Sequence, residues 1–306
     1  MEILLHGGPV EYPCADTDSV ETKTALVVDS GCEIDELLRS VLKGEGWSIQ
    51  QIAANQDVLS FAKENPADLI ITSRKTRGRE DIELLHKIRR VRPHVRLIIL
   101  VDEWTPGDVI AAMREGAFSY FSAPFDPAAL VDMVRAAMAA PCWDDGIEIL
   151  SATPTWIRLT ARCDVATADR LVQFLHGVKD PSIPEADLQD VIAAFREILL
   201  NAIEHGAHFD PSQHVEISFI HSRRAITCRV KDPGQGFSLE EIRHAAKDTS
   251  PEDLFRHVAV REDQGLRPGG FGVLMAKKLV DEVIYGEQGN DVVLIKYLDR
   301  AASRVA

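Results

Sequence analysis

The sequence predicts an α/β protein in two parts, a doubly wound parallel sheet over residues 23–140 and an α/β sandwich over residues 156–306. From Lys23, short apolar runs alternate with amphipathic stretches at helical spacing, the signature of successive βα units. Beyond Trp156, strands and helices are grouped instead, which predicts one mixed sheet layered on helices. Between them, Ala139 to Thr155 carries Pro141, Asp144, Asp145, Gly146 and Pro154 and reads as a linker, bounded as residues 141–155.

Residues 1–22 hold Glu2, Glu11, Asp16, Asp18 and Glu21 with Pro9 and Pro13, without sustained periodicity, and read as a partly ordered acidic arm. The strands of the first part are expected at Ala25 to Val28, Trp47 to Ile52, Asp68 to Thr72, Arg96 to Val101 and Phe118 to Phe121. Helices are expected near Asp35 to Lys43, Val58 to Glu64, Glu80 to Val91, Pro106 to Glu115 and Pro127 to Ala139. In the second part Ile157, Leu159 and Ala161 alternate with polar neighbours, as in a half-buried strand. Helices Val165 to Val178 and Glu185 to His205 follow, the second introduced by Pro184 and closed by Gly206. Strands His214 to His221 and Ala225 to Lys231, a helix Phe271 to Asp281 and a strand Asp291 to Leu298 complete the chain.

The composition narrows the function classes. A hydrophobic fraction of 45% over 306 residues supports two ordinary cores. The formal charge of -14 opposes general attraction to nucleic acid or an anionic membrane, so a protein or small-molecule partner is expected. Cys14, Cys32, Cys142, Cys163 and Cys228 form no CxxC pair, which predicts free thiols in a reducing compartment. With neither a signal-peptide pattern nor a segment of membrane-spanning length, a cytoplasmic protein is expected.

Three stretches carry chemistry. Glu197, Asn201 and His205 stand four apart on an otherwise apolar helix, forming a polar column that either faces solvent or lines a pocket. The strand from Ala225 runs into Asp232-Pro233-Gly234-Gln235-Gly236-Phe237. There a carboxylate can accept from an exocyclic amine such as that of adenine, and the glycines admit a flat ligand. Later, Gly269, Gly270 and Gly272 open a helix, where exposed amides suit phosphate oxygens. Each glycine motif alone reads equally as turn punctuation.

Residues 23–140 resemble the receiver domain of bacterial response regulators, a flavodoxin-like doubly wound fold. Leu26-Val27-Val28-Asp29-Ser30, Asp68-Leu69-Ile70-Ile71-Thr72-Ser73 and Gly116-Ala117-Phe118-Ser119-Tyr120-Phe121-Ser122-Ala123-Pro124 carry the resemblance. Its chemistry departs from the family: Ser73 replaces the phosphoacceptor aspartate, Ala123 the lysine, and Val101 a Ser or Thr, while Asp29 keeps one acidic position. Aspartyl phosphorylation needs a carboxylate nucleophile and clustered carboxylates for a divalent cation, so a non-phosphorylatable pseudo-receiver is expected. Direct phosphorylation of Ser73 by a kinase is the alternative. Arg74, Lys75, Arg77 and Arg79 after it form a solvated loop or an acidic-partner site.

The order Glu-x3-Asn, Asp-x-Gly-x-Gly, Gly-Gly-x-Gly resembles the GHKL ATPases of Bergerat fold over about residues 156–299. Asn201-Ala202-Ile203-Glu204-His205-Gly206, Leu279-Val280-Asp281-Glu282-Val283 and Gly289-Asn290-Asp291-Val292 are most similar to the anti-sigma-factor serine kinases. The resemblance implies ATP and Mg2+ as cofactors. It makes Asn201 the Mg2+ ligand, Glu197 the catalytic base and Asp232 the adenine reader, with Gly234, Gly236, Gly269, Gly270 and Gly272 shaping the nucleotide pocket. His205 is left open between a phosphate contact and a helix cap, and Phe237 and Phe271 between pocket and core. Ser238 to Pro268 would be an ATP lid.

The implied function is a serine/threonine protein kinase acting on a small antagonist protein. A sigma factor is a possible further partner, a homodimer is expected, and the receiver-like domain would regulate. A non-catalytic ATP-dependent binding switch is the alternative. A sensor histidine kinase would need a phosphoacceptor hairpin before Trp156, for which Ala139 to Thr155 is too short.

Overall fold

The computed structural model describes residues 23–28, 33–41, 46–53, 58–65, 67–72, 78–102, 104–123, 125–139, 146–178, 182–236 and 272–298. The acidic arm, Asp29, Ser73, Arg74, Lys75 and Arg77, Phe237, the lid segment, Gly269, Gly270 and Phe271 therefore lie outside the described residues.

The first part is five alternating βα units: β1 (Lys23–Val28), α1 (Glu33–Val41), β2 (Trp47–Ile52), α2 (Val58–Glu64), β3 (Leu69–Thr72), α3 (Gly78–Val91), β4 (Arg96–Val101), α4 (Pro106–Arg114), β5 (Ser119–Ser122) and α5 (Pro127–Ala139). All four strand pairings are parallel, in the order β2-β1-β3-β4-β5. Every residue of β3 and β4 is buried, which is why these strands read as unbroken apolar runs: a parallel sheet is covered on both faces. One core face gathers Ala25, Val27, Leu38 and Leu130; the other gathers Leu26, Ile70, Leu85 and Val109. Helix α4 starts where Pro106 follows Thr105, whose hydroxyl accepts from the Asp108 amide while the Asp108 carboxylate accepts from the Thr105 amide.

The second part contains β6 (Ile147–Thr153), β7 (Trp156–Arg162), α6 (Val165–Gly177), α7 (Glu185–Asn201), a π-helical turn (Ala202–Gly206), β8 (His214–His221), β9 (Ala225–Lys231), α8 (Gly272–Leu279), β10 (Glu282–Tyr285) and β11 (Asp291–Tyr297). Its six strands run β10-β11-β9-β8-β7-β6. Every pairing is antiparallel, which corrects the expected mixed sheet. Short turns join β6 to β7 and β8 to β9, and such hairpins enforce antiparallel neighbours. Burial alternates strictly along β9 and β11, so one sheet face is covered, chiefly by α6 and α7.

The segment read as a linker instead contributes the edge strand β6. Its register shifts between Ile149 and Ser151, and this bulge around exposed Leu150 breaks the period-2 pattern that would have announced the strand. Consequently, the two parts are closely joined. Arg170 of α6, 3% exposed, donates from Nε to the Phe118 carbonyl at 2.8 Å and lies 4.4 Å from the centre of the Phe118 ring. Gln173 donates to the Tyr120 carbonyl at 3.3 Å, and Arg114 of α4 donates to the Ala152 carbonyl of β6 at 3.1 Å.

Candidate functional site

Helix α7 is the apolar floor on which the site is built. Val191, Phe195, Ile198 and Leu199 pack into the core, while Glu197 and Asn201, one turn apart, are half-buried on another side. Beyond Asn201 the helix changes form. After Asn201 the chain widens into the π turn, with the Ala207 amide bonded to the Ala202 carbonyl at 3.0 Å. His205 lies in this wider turn, and its side chain is 60% exposed. Next, His208 and Phe209 take left-handed backbone angles, φ 54° and 57°, uncommon for residues with a Cβ.

Asp232 follows β9 and stands directly over Gly206. A Cβ at Gly206 would collide with the Asp232 carboxyl group, and one at Gly234 would come within 2.8 Å of both Asp232 Oδ1 and the Gly206 carbonyl. The motif helix and the Asp-x-Gly-x-Gly loop thus meet backbone to side chain, which only glycines permit. The Gly234 amide donates to Asp232 Oδ1 at 2.8 Å, while burial pushes the Asp232 carboxyl above its usual range. Gly236 has φ +78°, and the Gln288 carbonyl occupies the space a side chain would need.

The third motif closes the same space. Gly272 opens α8 against α7; its missing Cβ would stand 2.8 Å from Glu197 Oε2 and 3.4 Å from Asn201 Nδ2. Between these elements lies a cavity of about 850 Å³, within the range of small-molecule sites. Asn201, Asp232, Gly234, Gly236 and Gly272 line it, together with apolar Ile198, Val230, Val273 and Val292. His205 lines it too, but Glu197 does not.

Several residues at the site carried no assigned role in the sequence reading. Asn290 donates through Nδ2 to the carbonyls of Asp232, at 3.3 Å, and Gly234, at 2.9 Å, and so pins the glycine loop to the β10–β11 turn. Its neighbour Asp291 holds Arg229 through two bonds, Nε at 2.8 Å and the second nitrogen at 2.5 Å, and this pairing raises the guanidinium pKa. The Gly289-Asn290 turn was the available signal. Gln213, His208 and Tyr285 also line the cavity, and nothing in their spacing singles them out.

In the first part, Ala123 is the described member of the expected degenerate site. Its amide donates to the Val101 carbonyl at 3.0 Å, so the ends of β4 and β5 present two neutral side chains side by side. Among the described residues, no group of three or more His, Cys, Asp or Glu could hold a metal ion. No helix among them is long and apolar enough to cross a membrane.

Comparison with known proteins gives two family matches: residues 25–135 match the response regulator receiver domain, and residues 161–296 the histidine kinase-like ATPase domain. Over 156 residues the chain is 25% identical to the transcriptional regulatory protein GlrR of Escherichia coli (strain K12), covering 50% of this chain and 35% of that protein. It is 31% identical over 111 residues to the DNA-binding response regulator MtrA of Mycobacterium leprae (strain TN), covering 36% of this chain and 49% of that protein. The chain thus spans half or less of the length of these two relatives. A response regulator structure from Thermotoga maritima aligns at 22% identity with a TM-score of 0.35, over 39% of this chain and 99% of that one. The match over residues 161–296 implies ATP binding. The chain joins a response regulator receiver domain to a histidine kinase-like ATPase domain.

Proposed function

We propose that this chain is an ATP-dependent signalling protein, a serine/threonine kinase of the anti-sigma-factor type whose receiver domain docks or regulates without accepting phosphate. The observation that carries the reading is the convergence of Asn201, Asp232 and Gly272, from three separated motifs, on one cavity. Asp232 would take the adenine amine, and the start of α8 the phosphates. The Asn201 carboxamide oxygen suits a hard cation, and Mg2+ there would offset phosphate charge. Glu197 would accept the proton of the attacking Ser or Thr hydroxyl as that oxygen bonds to the γ-phosphorus and ADP leaves. The acceptor would be a small antagonist protein, with a sigma factor as exchange partner and a homodimer as the working form.

One observation favours the non-catalytic switch: Glu197 is absent from the cavity wall, beneath the start of α8. Radiolabelled ATP supplied with candidate antagonist proteins separates the two readings. The kinase reading expects label on a Ser or Thr of one candidate, lost in Glu197→Ala while ATP binding persists. ATP binding without transfer to any candidate supports the switch. Acetyl phosphate is expected to leave the receiver domain unlabelled, and an aspartyl phosphate there would contradict the pseudo-receiver assignment.

A further inference from the structure

Asp232 is not the only polar group on the cavity wall. Gln213, just before β8, is half-buried and lines the same space. Its main chain is fixed at both ends: the amide donates to the Asp210 carbonyl at 3.1 Å, and the carbonyl accepts from the Cys163 amide at 3.0 Å. Its carboxamide is oriented as well. Nε2 donates to Asp210 Oδ2 at 3.0 Å. Asp210 Oδ1 meanwhile accepts from the Ser212 amide at 2.9 Å and the Ser212 hydroxyl at 2.7 Å. These donors, Gln213 first, hold the Asp210 carboxyl down at about 2, so it is an acceptor only near neutral pH. An amide facing a carboxylate must turn its nitrogen toward it. Its oxygen is then left over, with no hydrogen bond among the described residues.

Gln213 precedes β8 and Asp232 follows β9, and the antiparallel pairing of Glu216 with Lys231 brings these two strand ends side by side at the cavity that both residues line. Asp232 and the Gln213 oxygen present acceptors, and two acceptors complement an amine with two hydrogens.

We propose that Gln213 makes the cavity select 6-aminopurine over 6-oxopurine nucleotides, its carboxamide oxygen accepting the amine hydrogen that Asp232 does not take. This rests on the ATP-binding reading and adds a residue that sets base specificity. Asp210 is its positioning residue. A 6-oxopurine would aim a carbonyl at two acceptors, oxygen against oxygen, with no hydrogen to share between them.

The test compares ATP with inosine triphosphate, which differs in bearing oxygen in place of the amine and a proton on N1, by titration calorimetry on the full chain. Wild type is expected to prefer ATP. In Gln213→Ala, ATP affinity is expected to fall about three- to tenfold, the worth of one neutral hydrogen bond, while inosine triphosphate affinity holds or rises. In Asp210→Ala the amide is free to reverse, and the preference is expected to narrow through a gain for inosine triphosphate, which a merely structural role would not produce. Circular dichroism checks that both variants fold. An unchanged ATP preference in Gln213→Ala overturns the inference, as does equal binding of both nucleotides by wild type, with the ATP reading then left standing. Binding of neither nucleotide by wild type overturns the ATP reading and this inference with it.

Discussion

At the scale of single residues, the site depends on absent side chains as much as on present ones. Asp232 occupies the volume that a Cβ on Gly206 would fill, and Gly234 is confined by the same carboxylate and by the Gly206 carbonyl. Gly206→Ala is therefore expected to displace Asp232 and weaken ATP binding at least tenfold without unfolding the chain, since Gly206 lies at the rim of the core. Calorimetric titration with a circular dichroism control measures this; wild-type affinity in the variant would show that Asp232 has no role in binding. The polar identities of Asn201 and Asp232 were legible in the sequence because a carboxamide and a carboxylate at fixed offsets from glycines are rare combinations. Asn290 and Gln213 were not. Each is an amide in a turn, and what distinguishes them is the partner reached across the fold: the Asp232 and Gly234 carbonyls for one, Asp210 for the other.

At the scale of elements, α7 is held from two sides by interactions of different worth. Lys296 of β11, 6% exposed, donates to Asp190 at 2.8 Å and to the Leu279 carbonyl at 2.7 Å, and lies 3.9 Å from buried Asp187. It ties β11, α7 and the end of α8 together. Lys296→Met removes the cation from beside the buried Asp187 and from its ion pair with Asp190, at a cost of about 3 kcal/mol. The Arg196–Asp169 pair between α7 and α6 is about 40% exposed on both sides, and Arg196→Ala should cost no more than about 1 kcal/mol. Urea denaturation of the two variants tests the ranking; equal losses would mean that burial does not control the strength of these pairs. Regular elements were legible where the pattern ran unbroken, as in β8 and β9, which begin and end where the alternation does. The bulged β6, the four-residue β10 and the π turn were not, because a bulge, brevity and a wide turn each erase periodicity.

At the scale of the whole molecule, the two domains share a continuous buried cluster, and Arg170 is its polar anchor. Arg170→Ala removes the hydrogen bond to the Phe118 carbonyl and the ring contact, a loss of about 2 kcal/mol placed at the junction. Scanning calorimetry is expected to show one unfolding transition for wild type and two for the variant; a single transition in both would mean that Arg170 is not what couples the two domains. The division into two α/β units was legible from alternation against grouping. Their close junction was not, because the β6 pairing that draws the ATPase sheet up to α4 is a long-range contact. The central claim is that α7, the Asp232 loop and the start of α8 together bind ATP through Asn201. Titration of the purified chain with ATP and Mg2+ tests it most directly: saturable binding by wild type and none by Asn201→Ala is the predicted result, and wild-type affinity in Asn201→Ala would contradict it.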